Sequence, residues 1–145
     1  MEKELHSLED LAAEARSLVS RLSPKDAQAT LVTLSGELGA GKTSFTQALA
    51  QTLGIEDHVT SPTFVLEKIY ALPEGKGFTR LAHIDAYRLK SGSELGALGF
   101  DALIQDPKTL IVLEWPEMVA DTLPPADVSI TFVVREDESR TMSYA

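Results

Sequence analysis

Between the β-rich run TLVTL (Thr30–Leu34) and a helical pattern beginning at Thr43, the chain reads SGELGAGKTS. Three glycines within six residues are entropically costly in ordered structure, so the stretch must serve a conformation or a contact that other residues cannot supply. Gly36, Gly41, Lys42 and Thr43 fit the spacing G-x-x-x-x-G-K-[ST], with a strand pattern before it and a helix pattern after it. In such a loop, backbone N–H groups turn inward around phosphate oxygens and the helix N-terminus adds its positive dipole end. Lys42 would reach the β- and γ-phosphates, and the Thr43 hydroxyl would hold Mg²⁺. The plainer alternative is an ordinary glycine-rich strand-to-helix turn, and the complete motif argues against it.

A phosphate loop of this kind works with a carboxylate at the end of a neighbouring buried strand. Two acids qualify: Asp85 ends LAHID and Glu114 ends LIVLE. TLIVLEW is the most continuous apolar run, which reads as a strand buried on both faces beside the loop strand, so Glu114 is the stronger metal candidate. Asp85 is placed to orient an attacking water. Either could instead be a solvated strand-end acid. His83 alternates with Asp85 and faces the same side of its strand; on its own it reads as structural. Trp115, the only tryptophan, follows Glu114 and falls near the strand end, as core packing or as a ligand contact. Thr63 in TSPTF lies where nucleotide switches sense a γ-phosphate, although the same residues suit any turn. Arg88 reads as an ion-pair partner or as a transition-state cation.

The remaining pattern sets the fold class. Leu5, Leu8, Leu11, Ala12, Ala15, Leu18, Val19 and Leu22 form one helical face ended by Pro24. Phe45, Ala48, Leu49 and Leu53 form a second, stopping at Gly54. TFVLEKIYAL and GFTRLAHIDAYRL predict a hairpin around PEGKG, and VSITFVV a final strand after the turn LPPAD. Ser91 and Glu94 have capping-box spacing ahead of a short helix. Interleaved helices and strands predict an α/β three-layer sandwich with a mixed β-sheet, residues 1–145 forming a single P-loop NTPase domain.

Charge narrows the partners. The formal net charge is −9, and the 13 basic residues are scattered, which disfavours unaided binding to nucleic acid. There is no cysteine, and no apolar run approaches the roughly 20 residues that span a bilayer. A cytoplasmic, soluble protein is the expectation.

GELGAGKTSF, SPTF, HIDAYRL and LEWPE, in this order and spacing, resemble the bacterial TsaE family of tRNA threonylcarbamoyladenosine biosynthesis proteins. The resemblance covers nearly the whole chain. It implies a small ATPase, with ATP and Mg²⁺ as cofactors, acting with TsaB and TsaD. The product implied is N6-threonylcarbamoyladenosine (t6A) at position 37 of tRNAs reading ANN codons, with the tRNA held through those partners. It further implies that Leu38, Gly39, Ala40, Gly41, Lys42, Thr43 and Ser44 wrap the phosphates, with Thr43 and Glu114 on Mg²⁺. Asp85 is then needed for turnover, and Trp115 lies at the nucleotide pocket. Glu37 stands where the family usually has Asp, and Ala86 where it often has Leu. Asp10 occupies a position where the family often has a threonine near the adenine.

Two rival classes remain: a small-molecule P-loop kinase and a nucleotide switch that does not hydrolyse. Six scattered arginines and no insertion long enough for a lid argue against the kinase. The pair Asp85 and Glu114 argues against the switch.

Overall fold

The computed structural model describes residues 2–37, 39–55, 67–75 and 77–144. Leu38 and the TSPTF segment with Thr63 lie outside the described residues. Strands β1 (Glu2–Leu5), β2 (Thr30–Ser35), β3 (Glu67–Ala71), β4 (Arg80–Asp85), β5 (Thr109–Glu114), β6 (Val128–Val134) and β7 (Arg140–Tyr144) form one sheet in the order β1-β7-β6-β2-β5-β4-β3. Helices α1 (Leu8–Arg21) and α2 (Lys42–Thr52) pack on one face, and α3 (Ser93–Ala97) and α4 (Phe100–Ile104) on the other. This is a mixed three-layer α/β sandwich. The centre is parallel, β2 running with β5 and β6 and β4 with β5, while the outer pairs are antiparallel.

All six residues of β5 are buried, because helices cover both its faces and β2 and β4 flank it. Alternation sends Leu110 and Val112 to the core under α1 and α2, and Ile111 and Leu113 to the core under α3 and α4. Asp127 braces the other end of the sheet: its carboxylate accepts from Leu31 N–H at 2.8 Å and from Lys25 Nζ at 2.9 Å.

Several local expectations change. Leu5 belongs to strand β1, not to the first helix. Ser7 is the N-cap, its hydroxyl accepting from Asp10 N–H at 3.1 Å, so the helix starts at Leu8. The spacing of Ser91 and Glu94 does not form a side-chain cap. Glu94 instead accepts from Lys90 N–H at 2.6 Å, and Gly92 occupies the cap position. The single short helix expected there is two, because Gly99 adopts φ 78° between them, outside the helical region. β7 was not foreseen.

Among the described residues, no helix is long and apolar enough to cross a membrane.

Phe132 on β6 supports the glycine loop from below. It is 1% exposed and meets Phe45 of α2 edge-on, ring centroids 5.6 Å apart. Gly36 passes so close that a Cβ on it would stand 2.5 Å from the Phe132 carbonyl oxygen, at φ +140°. That glycine therefore has a packing reason of its own. Phe132→Ala is expected to lower the unfolding free energy by about 3–5 kcal/mol in urea titrations, through lost burial and the cavity left behind. A loss below about 1 kcal/mol would mean that loop and helix collapse onto the gap.

Candidate functional site

The parallel strands β2, β4 and β5 all end on one side of the sheet, where open α/β sheets place their ligand crevices. There the chain forms a cleft of about 470 Å³. One wall is the loop and first turn of α2, from Gly39, Ala40 and Gly41 through Lys42, Thr43 and Ser44. Asp85, Glu114 and Trp115 line it from the strand ends. Gly39 through Ser44, Asp85, Glu114 and Trp115, all expected from the sequence, thus line one cavity. Arg88 is exposed and is not among the lining residues.

Asp85 and Glu114 are register partners across β4 and β5, so their side chains share the face that carries α2. Both are buried, at 5% and 3% exposure. Tyr87 N–H donates to Asp85 Oδ1 at 3.0 Å, which orients that carboxylate. Thr43 Oγ1 stands 3.4 Å from each oxygen of Glu114, a loose contact with room between the groups. His83 Nε2 lies 2.5 Å from Glu114 Oε2, a contact that its own strand pattern does not reveal.

Lys42 is nearly as enclosed, 5% exposed, and its ammonium donates to the carbonyls of Gly36 and, at 2.9 Å, Glu37. It also sits 4.3 Å from the centroid of the Trp115 ring, a cation–π contact. Trp115 stacks obliquely on Tyr87 at 4.9 Å and holds φ 63°, a left-handed backbone that L side chains rarely adopt. Its N–H donates to Leu34 O at 3.1 Å, tying the end of β5 to β2.

The far end of the cleft was missed in the sequence. Leu5, His6, Leu8 and Leu11 line it from β1 and α1, and Glu138 and Arg140 from the β6–β7 turn and β7. Arg140 donates to Gly39 O at 3.1 Å, reaching the glycine loop from the opposite end of the chain. No local signal marks these residues, because pairing of β1 with β7 brings them there. Asp10 is spent on its own helix, accepting from His6 N–H at 2.9 Å, and does not line the cleft.

A glycine loop running from a central parallel strand into a helix, with acids on adjacent strand ends, defines a P-loop NTPase fold. Within that class the chain belongs to the TsaE family: the family model described as threonylcarbamoyl adenosine biosynthesis protein TsaE matches residues 5–142. The chain is similar to the tRNA threonylcarbamoyladenosine biosynthesis protein TsaE of Streptomyces coelicolor, 44% identical over 70% of this chain and 67% of that protein. It is 37% identical to the protein of that name in Treponema pallidum, over 81% of this chain and 83% of the relative. The Bacillus subtilis protein of the same name is 34% identical over 94% and 79%. In three dimensions the chain resembles the crystal structure of Bacillus subtilis YdiB, with TM-score 0.77 and 27% identity over 99% of this chain and 83% of that one.

Burial pushes the Lys42 ammonium below the ordinary lysine value of 10.5, while the charges of Glu114, then Asp85 and Glu117, pull it back up. As pH rises through that lowered midpoint the lysine loses its charge. A pH series on the ¹³Cε signal of Lys42 is expected to show a midpoint below 10.5, and Glu114→Gln to lower it further by removing the largest favourable charge. An unmoved midpoint in the variant would mean that Glu114 does not act on Lys42 through space.

Proposed function

We propose that the protein is a Mg²⁺-dependent ATPase that serves t6A formation in tRNA, working with TsaB and TsaD. The observation that carries this reading is the convergence of Lys42, Thr43, Asp85 and Glu114 on one cleft, in a chain of the TsaE family. The family name supplies the tRNA modification, and the cleft supplies the chemistry.

The residues suit the metal. Thr43 and Glu114 offer hard oxygen donors 3.4 Å apart, close to the separation of about 3 Å between adjacent ligands of an octahedral Mg²⁺. Among the described residues no cluster of three or more His, Cys, Asp or Glu builds a protein-only cage. A hydroxyl and a carboxylate, completed by phosphate oxygens and water, is how Mg²⁺ is usually held. When bound, the ion supplies positive charge to the β- and γ-phosphate oxygens.

The protein's own groups do the rest. Backbone N–H groups of the loop and the first turn of α2 face the phosphates. The donors that Lys42 now gives to the carbonyls of Gly36 and Glu37 are the ones a γ-phosphate would take. Asp85, its carboxylate oriented by Tyr87 N–H, is placed to accept a hydrogen bond from water attacking the γ-phosphorus in line with the departing ADP oxygen. The apolar wall of Leu5, Leu8 and Leu11 with Arg140 forms the nucleoside end. The charge of −9 supports the reading that tRNA is held through the partners, since a negative surface repels a polyanion.

Lys42→Ala is expected to abolish the ATP-dependent change in Trp115 emission, the tryptophan being unique and beside that lysine. Glu114→Ala should lose the Mg²⁺-dependent part of ATP affinity. Asp85→Ala should bind ATP nearly as well as the parent and turn it over about 10²-fold or more slower. Fluorescence titrations with and without Mg²⁺, beside phosphate-release rates, decide it; the opposite assignment of losses would exchange the roles of the two acids.

The isolated chain is also expected to hydrolyse ATP slowly and to bind tRNA weakly at physiological salt. Added TsaB and TsaD should raise the ATPase rate. Sub-micromolar tRNA affinity for the chain alone, or an ATPase indifferent to both partners, would overturn the division of labour.

A further inference from the structure

We propose that His83 is a positioning residue, holding the Glu114 carboxylate in the one orientation that serves the metal; this rests on the reading of Glu114 as a Mg²⁺ ligand. His83 lies opposite Val112 on β5, so its ring shares the α2 face with Glu114 one pleat further along. The ring is fully buried at 0% exposure and Glu114 is 3% exposed, which places their 2.5 Å contact out of reach of solvent competition.

The direction of that hydrogen bond follows from the other ring nitrogen. Nδ1 is buried and, among the described residues, has no hydrogen-bond partner. Placing a proton on it would bury an N–H with no acceptor, so the ring is held as the Nε2–H tautomer and donates to Glu114 Oε2. An apolar side chain would fill this core position without leaving Nδ1 unsatisfied. What the imidazole adds is the Nε2 donor. Among the described residues, the other hydrogen-bonding contact of the Glu114 carboxylate, the Thr43 hydroxyl at 3.4 Å from both oxygens, is too loose and too symmetrical to fix its rotation. His83 breaks that symmetry by engaging Oε2 alone of the two oxygens. Ligating carboxylates are commonly fixed by such outer hydrogen bonds, and loss of one costs roughly 10–100-fold in metal affinity.

Three variants separate positioning from packing. His83→Gln puts an amide N–H near the place of Nε2, His83→Leu fills the space without a donor, and His83→Asn carries a donor that falls short. Calorimetry with a non-hydrolysable ATP analogue gives its affinity without Mg²⁺ and the Mg²⁺ concentration that half-saturates the gain. His83→Leu is expected to raise that concentration roughly 10–100-fold, leave metal-free affinity unchanged, and be largely rescued in His83→Gln. If His83→Leu does not fold, His83→Asn takes its place. Independently of any ligand, proton NMR of the protein should show a slowly exchanging, downfield imidazole N–H that disappears in Glu114→Ala. Parent-like Mg²⁺ dependence in His83→Leu, equal losses in Leu and Gln, or absence of that proton signal would overturn the proposal. If Glu114→Gln itself leaves Mg²⁺ dependence unchanged, the ligand reading of Glu114 fails and takes this one with it; if Glu114→Gln weakens Mg²⁺ while His83→Leu does not, only the role of His83 falls.

Discussion

The cleft depends on the parallel register of β2 with β5, in which Leu34 stands opposite Glu114. Side chains along a strand alternate, so a slip of one residue would turn Glu114 toward the α3 and α4 face and present Leu113 to the loop. Burial of both faces of β5 forbids that slip, because it would exchange an ionisable group with a core leucine. The same argument holds across β4, where Asp85 faces Glu114. Hydrophobic packing therefore sets the position of the acids without touching them.

Order at the mouth of the cleft is held against local resistance. A non-glycine residue in the left-handed region costs of order 1–3 kcal/mol, and Trp115 pays it with one of the largest side chains. Its N–H is bound to Leu34, and its carbonyl accepts from Met118 N–H at 3.1 Å in the 3-10 turn Pro116–Val119. The ring lies between Tyr87 and the Lys42 ammonium. Lys42 in turn tolerates burial because two loop carbonyls and that ring replace its hydration. Strand end, loop and aromatic pair stabilise one another.

Much of this was legible in the residues. The glycine loop with Lys42 and Thr43, the buried strand of Glu114 and the strand ending in Asp85 are local patterns, and each landed where its pattern pointed. What failed to show depends on distant pairing. EKEL of β1 is short and polar, and RTMSY of β7 has no apolar run; β7 becomes a strand by pairing with β6, and in turn supplies the partner for β1. Arg140, His6 and Leu8 reach the cleft through that same pairing. The contact between His83 and Glu114 depends on the β4–β5 register, which alternation within LAHID cannot reveal. Leu5 fits the helical spacing of the leucines after it, yet the Ser7 cap outweighs that periodicity.

The β1–β7 ladder, with Glu2 opposite Ser143, also bears on how the protein is made. Synthesis is vectorial, so the glycine loop and both strand-end acids exist in the nascent chain once Trp115 has been added. The far end of the cleft must wait for residues 140–144 to return and pair with β1. Closing so long a loop comes late, because its entropic cost is met before its contacts form. A ribosome-bound chain lacking β7 would have its glycine loop and strand-end acids beside a cleft with one wall open.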